Sequence, residues 1–232
     1  MDDVEFLKKC VDEIHRVAKE YFGEVEFIEP IGIRKTVCKV VANGVAMKAK
    51  VWSSSEHDNL DIHHILASGG VRVPKPIAEV PMAKDFGLTK TIRFMEWIEG
   101  TTYNYALEGK RHLASFPKDF FYQVGEVLGE ISNFKIRGLY IAMGDIIWPQ
   151  FVTTKEGKLY LVDITKLFLS EDPEKWFFHN IIYYPHITDT KKMDFIEGYL
   201  DRTKPRAISS GLKMARVFIN RIYEKLERGK SI

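Results

Sequence analysis

Two aspartates, a glutamine and a lysine in this 232-residue chain stand in the order and setting that phosphoryl transfer uses. Asp145 follows a glycine in Gly144-Asp145-Ile146-Ile147-Trp148-Pro149-Gln150. A carboxylate so placed can take the proton of an acceptor hydroxyl, and Gln150, five residues on, offers an amide oxygen to Mg²⁺. Asp163 emerges at the end of the apolar run Leu161-Val162, where a carboxylate can bridge Mg²⁺ to the β and γ phosphates of a nucleotide. Upstream, Gly44-Val45-Ala46-Met47-Lys48 reads as a strand whose lysine suits the α and β phosphates. Lys50 shares the face of Lys48, and the motif favours Lys48. Each residue also has an ordinary reading: a Gly-Asp turn, an acid after a buried strand, a solvated lysine. The chemistry rests on their order, with a tight hairpin filling the interval between the two aspartates.

Those residues need elements to hold them. Phe6, Cys10, Ile14, Val17 and Tyr21 recur at helical spacing, which predicts an amphipathic helix over 3–22 stopped by Gly23. Strand-like runs follow at 24–32, 36–42 and 45–52, the last two joined by Asn43-Gly44, a strong hairpin signal. A helix over 56–68 ends at Gly69-Gly70, and Val73-Pro74-Lys75-Pro76 leads into strands at 76–81 and 89–97. Beyond Gly100 helices are predicted at 103–110, 116–136, 172–181, 189–201 and 208–228. They are interrupted by a hairpin of Phe151–Thr154 and Leu159–Ile164 that turns at Lys155-Glu156-Gly157-Lys158. The sum is an α+β chain: a five-stranded antiparallel sheet with one inserted helix, then a mainly helical part.

Composition narrows the class. With 45% hydrophobic and 12% aromatic residues the chain can bury one large core or two small lobes. Apolar runs are too short to span a bilayer and the N-terminus is acidic, so the expected location is cytoplasmic, with no membrane partner. Cys10 and Cys38 have neither disulfide nor zinc spacing, and the adjacent His63 and His64 point about 100° apart on a helix, which argues against joint metal ligation. The net charge of +2 hides an asymmetry: residues 202–232 carry nine basic and two acidic side chains. That basic segment reads either as a solvated helical face or as a polyanion-binding surface.

The ordered set of Lys48, the Asp145 loop and Asp163 resembles the protein-kinase-like superfamily, in its compact branch of aminoglycoside phosphotransferases and of RIO, Bud-type and lipopolysaccharide kinases. Gly70-Val71-Arg72-Val73-Pro74-Lys75-Pro76 is similar to that branch's run between its first helix and fourth strand, and Phe94-Met95-Glu96-Trp97-Ile98-Glu99-Gly100 to its hinge. The resemblance implies a two-lobed kinase-like fold in a single domain over 1–232. An N-terminal helix covers 1–23, an N-lobe 24–99 and a C-lobe 100–232. It implies ATP or GTP with Mg²⁺, Asp145 and Lys48 as catalytic residues, and Asp163 and Gln150 as metal ligands. Met95 then gates the adenine pocket, the Glu96 carbonyl and Ile98 amide bind the base, and Gly32, Arg34 and Lys35 lie over the phosphates. The sequence departs from the pattern at Met143, commonly a histidine, at Gln150 for asparagine, at Ile164-Thr165-Lys166 after Asp163, and in the single glycine of residues 31–36. The acid that should pair with Lys48 is Glu56, Asp58 or Asp61, and the best alignment places Asn59 there.

No Ala-Pro-Glu motif or long activation segment follows Asp163, which leaves no peptide-docking platform of the conventional protein-kinase kind. The basic C-terminal segment points to an anionic acceptor. With Phe218 and Tyr223 interleaved, the chain is similar to archaeal RNA kinases that phosphorylate a ribose 2′-hydroxyl of tRNA, and Arg202, Lys204, Arg206, Lys213, Arg216 and Arg221 become candidate RNA contacts. The alternatives are a RIO-like serine/threonine kinase or ATPase and a catalytically silent ATP-binding scaffold. Few glutamines beside 28% charged residues point to a thermophilic source.

Overall fold

The structure is a computed structural model that describes residues 3–31, 36–53, 58–83, 90–103, 116–204 and 209–228. It divides into two compact units, residues 1–64 with 74–98 and residues 65–73 with 99–232.

The first unit is built on a five-stranded antiparallel sheet in the order β1-β2-β3-β5-β4, from β1 (Val25–Ile31), β2 (Val37–Ala42), β3 (Val45–Ser53), β4 (Pro76–Pro81) and β5 (Lys90–Glu96). Asn43 and Gly44 both adopt positive φ, as a two-residue hairpin turn between twisted strands demands, and they set the β2–β3 register at Ala42 opposite Val45. Alternation then sorts side chains by face. Cys38, Val40, Ala42, Met47, Ala49, Ile92 and Phe94 bury one face against Cys10, Ile14, Val17 and Ala18 of helix α1 (Asp3–Phe22). The opposite face of the three central strands carries Lys39, Lys48, Lys50 and Arg93, with Trp52 among them. Helix α2 (Asp58–Ser68) stops at Gly69-Gly70 as the sequence predicted.

The second unit contains β6 (Thr101–Thr102), α3 (Phe120–Ser132), β7 (Lys135–Ile136), β8 (Leu139–Met143), a 3-10 turn at Trp148–Gln150, β9 (Phe151–Thr153), β10 (Leu159–Leu161), β11 (Leu167–Ser170), α4 (Pro173–Ile182), α5 (Asp189–Arg202) and α6 (Ser210–Glu227). The helix predicted over 116–136 is shorter: it ends at Ser132, and the chain turns at Arg137 and Gly138, both at positive φ, into the β7–β8 hairpin. The strand predicted over 159–164 stops at Leu161, and 162–164 is loop. The helix predicted over 103–110 falls almost wholly outside the described residues.

Helices α3 and α5 cross with backbones almost in contact. A Cβ on Gly198 would come within 2.0 Å of the Tyr122 carbonyl oxygen, and one on Gly125 within 2.1 Å of that of Phe195. Phe177, Phe178, Phe195 and Tyr199 fill the space beside the crossing. Beside it lies an ion network in which Arg202 and Arg72 share Glu126 and Glu130, with Arg202 Nη2 at 2.6 Å from Glu126. Substituting Gly198→Ala therefore forces the helices apart and should lower the unfolding free energy by about 1–3 kcal/mol in urea titrations, whereas Gly157→Ala, with open space around it, should cost only the strain of its positive φ.

Candidate active site

The candidate residues fall in two sets, one on each unit. In the first, Lys48 lies on the basic face of the sheet, opposite Lys39 on β2 and opposite the buried Met95 on β5. Lys50 belongs to a different neighbourhood: its Nζ is 5.2 Å from the Trp52 ring, and its cross-strand partner Arg93 stacks on Trp52 at 3.8 Å while its Nε donates to Glu79 at 2.8 Å. After Met95, the Glu96 N–H donates to the Lys75 carbonyl and the Glu96 side chain accepts from Lys75 N, so the end of β5 is fixed before the chain leaves the sheet through 97–99. The Lys39 ammonium lies over the Trp97 ring at 4.7 Å. Gly32, Arg34, Lys35 and Glu56 lie outside the described residues. Of the acids considered for Lys48, Asp61 is exposed on α2. His63 of α2 is buried, its Nε2 against the Pro74 carbonyl at 2.5 Å, and burial above all pushes its pKa down to about 4, with the positive charges of Arg93 and Lys48 acting in the same direction. It is neutral at pH 7, and Nδ1 is then the unprotonated nitrogen.

In the second unit the two acidic loops leave the same end of one ladder. Strands β8 and β11 pair antiparallel with Met143 opposite Leu167, so the chain that continues to Asp145 and the chain that arrives from Asp163 start side by side. Two backbone bonds then clamp loop to loop: Gly144 N–H donates to the Lys166 carbonyl at 3.0 Å, and Val162 N–H to the Gln150 carbonyl at 2.7 Å. Buried apolar side chains fix the loop between those bonds. Met143 and Ile146 are in the core, and the Trp148 ring packs edge-on to Phe120, Phe121 and Tyr184. Asp145, between these anchors, is exposed. Asn180 of α4 adds a third tie, its Nδ2 donating to the Gly144 carbonyl at 3.3 Å.

Asp163 is held as well. Its Oδ1 accepts from both the N–H and the hydroxyl of Thr165, at 3.1 and 2.7 Å, a turn that fixes the carboxylate's orientation. Gln150 is buried, and its Oε1 accepts from Ile147 N–H at 2.9 Å; the amide braces the Asp145 loop from within and keeps one oxygen lone pair. A hard carboxylate with one amide oxygen fits Mg²⁺, which binds through one or two carboxylates plus substrate phosphates rather than in an all-protein cage. No cluster of three His, Cys, Asp or Glu side chains suited to a metal occurs among the described residues.

Neither a protein-family model nor a curated protein matches the sequence. Solved structures do match. Choline kinase LicA from Streptococcus pneumoniae superposes with a TM-score of 0.60 at 14% identity, over 98% of this chain and 93% of that one. The fold is that of the compact kinase-like phosphotransferases. Macrolide 2′-phosphotransferase MphH from Brachybacterium faecium shares it at a TM-score of 0.58 and 10% identity, over 96% and 94% of the two chains. The AMP-bound complex of a spectinomycin phosphotransferase shares it at 0.56 and 12%, over 91% and 86%.

On this kinase-like fold the basic residues singled out in the sequence are differently employed. Lys213, Arg216 and Arg221 are exposed on α6 and Lys204 precedes the helix, whereas Arg202 is held by Glu126 and Glu130, and Arg206 lies outside the described residues. Sequence reading missed Asp172, the N-cap of α4. One carboxylate accepts from Lys175 N on α4 and from Ser209 Oγ, Ser210 N and Ser210 Oγ at the start of α6. Burial alone would raise its pKa, but these hydrogen bonds outweigh burial and hold it below the ordinary aspartate range. A lowered folded pKa means that the stabilisation is present above the unfolded value of about 3.9 and is lost as pH falls through the folded one. Asp172→Ala should cost on the order of 1–2 kcal/mol at pH 7. In urea titrations from pH 7 down to 2, the advantage of the wild type over that variant should shrink below pH 4.

Proposed function

We propose that the chain is an ATP-dependent phosphotransferase that moves the γ-phosphoryl group to an alcohol, and that the alcohol is a ribose 2′-hydroxyl of RNA, with tRNA as the substrate class. The observation that supports the transfer most is the loop-to-loop clamp, which holds the exposed Asp145 and the oriented Asp163 at one end of the β8–β11 ladder.

Asp145 is the base. An RNA hydroxyl is a weak nucleophile, and a fixed, exposed carboxylate can accept its proton and aim the oxygen at the γ-phosphorus. Asp163 and the remaining lone pair of the Gln150 amide would hold Mg²⁺, which when bound would screen the phosphate charge. Lys48 neutralises the α and β phosphates, and Met95, the Glu96 carbonyl and the Ile98 amide receive the adenine, a role for which a backbone edge suffices. That a protein of the same fold has been solved with AMP supports a nucleotide partner. Met143 substitutes packing for the imidazole that braces the loop in kinases of this kind. The RNA acceptor is supported by charge: Lys213, Arg216 and Arg221 are exposed on a segment that carries nine basic residues against two acidic.

Incubation with γ-labelled ATP and Mg²⁺ tests the reading, with bulk tRNA, a generic protein acceptor or choline as the third component. Label should enter tRNA and resist exchange, and Asp145→Ala should reduce its rate at least about 100-fold. Label confined to protein would identify the RIO-like alternative, and ATP binding without transfer to any acceptor the silent scaffold.

A further inference from the structure

Helix α4 turns an aromatic edge to solvent beside the Asp145 loop. Trp176 is 40% exposed and Tyr183, one residue past the helix, 64%. The Trp176 ring is not loose: it stands edge-on to Phe168 of β11, ring centroids 5.1 Å apart at 89°. Phe168 in turn lies under the start of the catalytic loop, where a Cβ on Gly144 would come within 3.3 Å of its ring. Asn180 ties the same pieces through the backbone, its Nδ2 donating to the Trp176 carbonyl at 2.8 Å and to the Gly144 carbonyl at 3.3 Å. The indole is thus linked to the residue before Asp145 by a ring contact on one side and a shared amide on the other.

Lys166, whose carbonyl clamps Gly144, and Lys175, next to Trp176, are exposed. Among the acids nearby, Glu174 is buried and Asp172 is committed to the two helix N-termini, while Glu171 and Asp145 itself are exposed. Exposed lysines on the clamped loop and on α4, close in the chain to an exposed indole, suit an aromatic ligand that carries phosphate.

We infer that Trp176 is a stacking platform for an unpaired nucleobase of the RNA substrate, adjacent to the ribose presented to Asp145, with Lys166 and Lys175 on the flanking phosphates. This rests on the RNA-kinase reading and adds to it a requirement: the target nucleotide lies in a single-stranded segment, because a base inside a duplex has no free face to offer.

The test combines binding and turnover. Intrinsic fluorescence is titrated with a single-stranded oligouridine and, separately, with choline, for the wild type, Trp176→Phe and Trp176→Leu, and kcat/KM for tRNA phosphorylation is measured on the same proteins. Thermal melts confirm that the variants fold. Oligouridine should quench the wild type, and the component of quenching assigned to Trp176 among the four tryptophans should vanish in both variants. Trp176→Leu should lose roughly 5- to 100-fold in RNA affinity and kcat/KM, Trp176→Phe should recover most of that loss, and the KM for ATP should stay within twofold. Equal RNA affinity in wild type and Trp176→Leu would overturn the platform while tRNA labelling by the wild type left the RNA-kinase reading intact. A wild type that neither binds nor labels RNA would overturn both, and Trp176-dependent quenching by choline instead of RNA would reassign the site to a cationic acceptor.

Discussion

Two backbone hydrogen bonds, Gly144 to Lys166 and Gln150 to Val162, hold the loops of the second unit's two candidate carboxylates together. Each loop they join is short and polar at its candidate residue, and neither could keep a carboxylate in one orientation against its own conformational entropy. The ladder of β8 and β11 solves this by starting both loops from neighbouring strand ends. The bonds then cross-link them, and Ile146, Trp148 and Gln150 fill the interior while the Asp145 side chain is left exposed. Secondary elements that touch neither aspartate serve the same end. Asp172 sets the start of α4, and α4 delivers Asn180 to the Gly144 carbonyl.

The first unit meets a different constraint: a sheet with one apolar face and one cationic face. Burial of the apolar face under α1 answers a question that the sequence leaves open, since that amphipathic helix could have served a partner instead. The cationic face costs like-charge repulsion among Lys39, Lys48, Lys50 and Arg93, offset in part by Glu79 on Arg93 and by the Trp52 and Trp97 rings. Concentrated positive charge on a rigid strand face is what a triphosphate requires.

Local signals were legible in the sequence because their physics is local. Asn43-Gly44 dictated a hairpin and Gly69-Gly70 a helix stop, and the motifs around Lys48, Asp145 and Asp163 pointed to the kinase-like fold. The β8–β11 ladder was not read, although Leu139-Tyr140-Ile141-Ala142-Met143 after Arg137-Gly138 carried the strand signal, because its partner lies 24 residues on, Met143 opposite Leu167, and only tertiary pairing selects it. For the same reason the preceding helix was drawn too long. Arg202 shows the limit of counting charge: it belongs to the basic segment by composition, yet in the fold it joins Arg72 on Glu126 and Glu130. The aromatic edge of α4 was invisible because Phe168 and Trp176 become a pair only once β11 and α4 are placed.

The central claim is that Asp145 and Asp163 have separate duties, one toward the acceptor hydroxyl and one toward the metal-bound phosphates. Calorimetric titration of ATP into the wild type, Asp145→Asn and Asp163→Asn, each with and without Mg²⁺, separates them directly. The account predicts that Mg²⁺ strengthens ATP binding equally in the wild type and Asp145→Asn and that this gain disappears in Asp163→Asn. A gain that survives in Asp163→Asn, or one that is lost in Asp145→Asn, would contradict it.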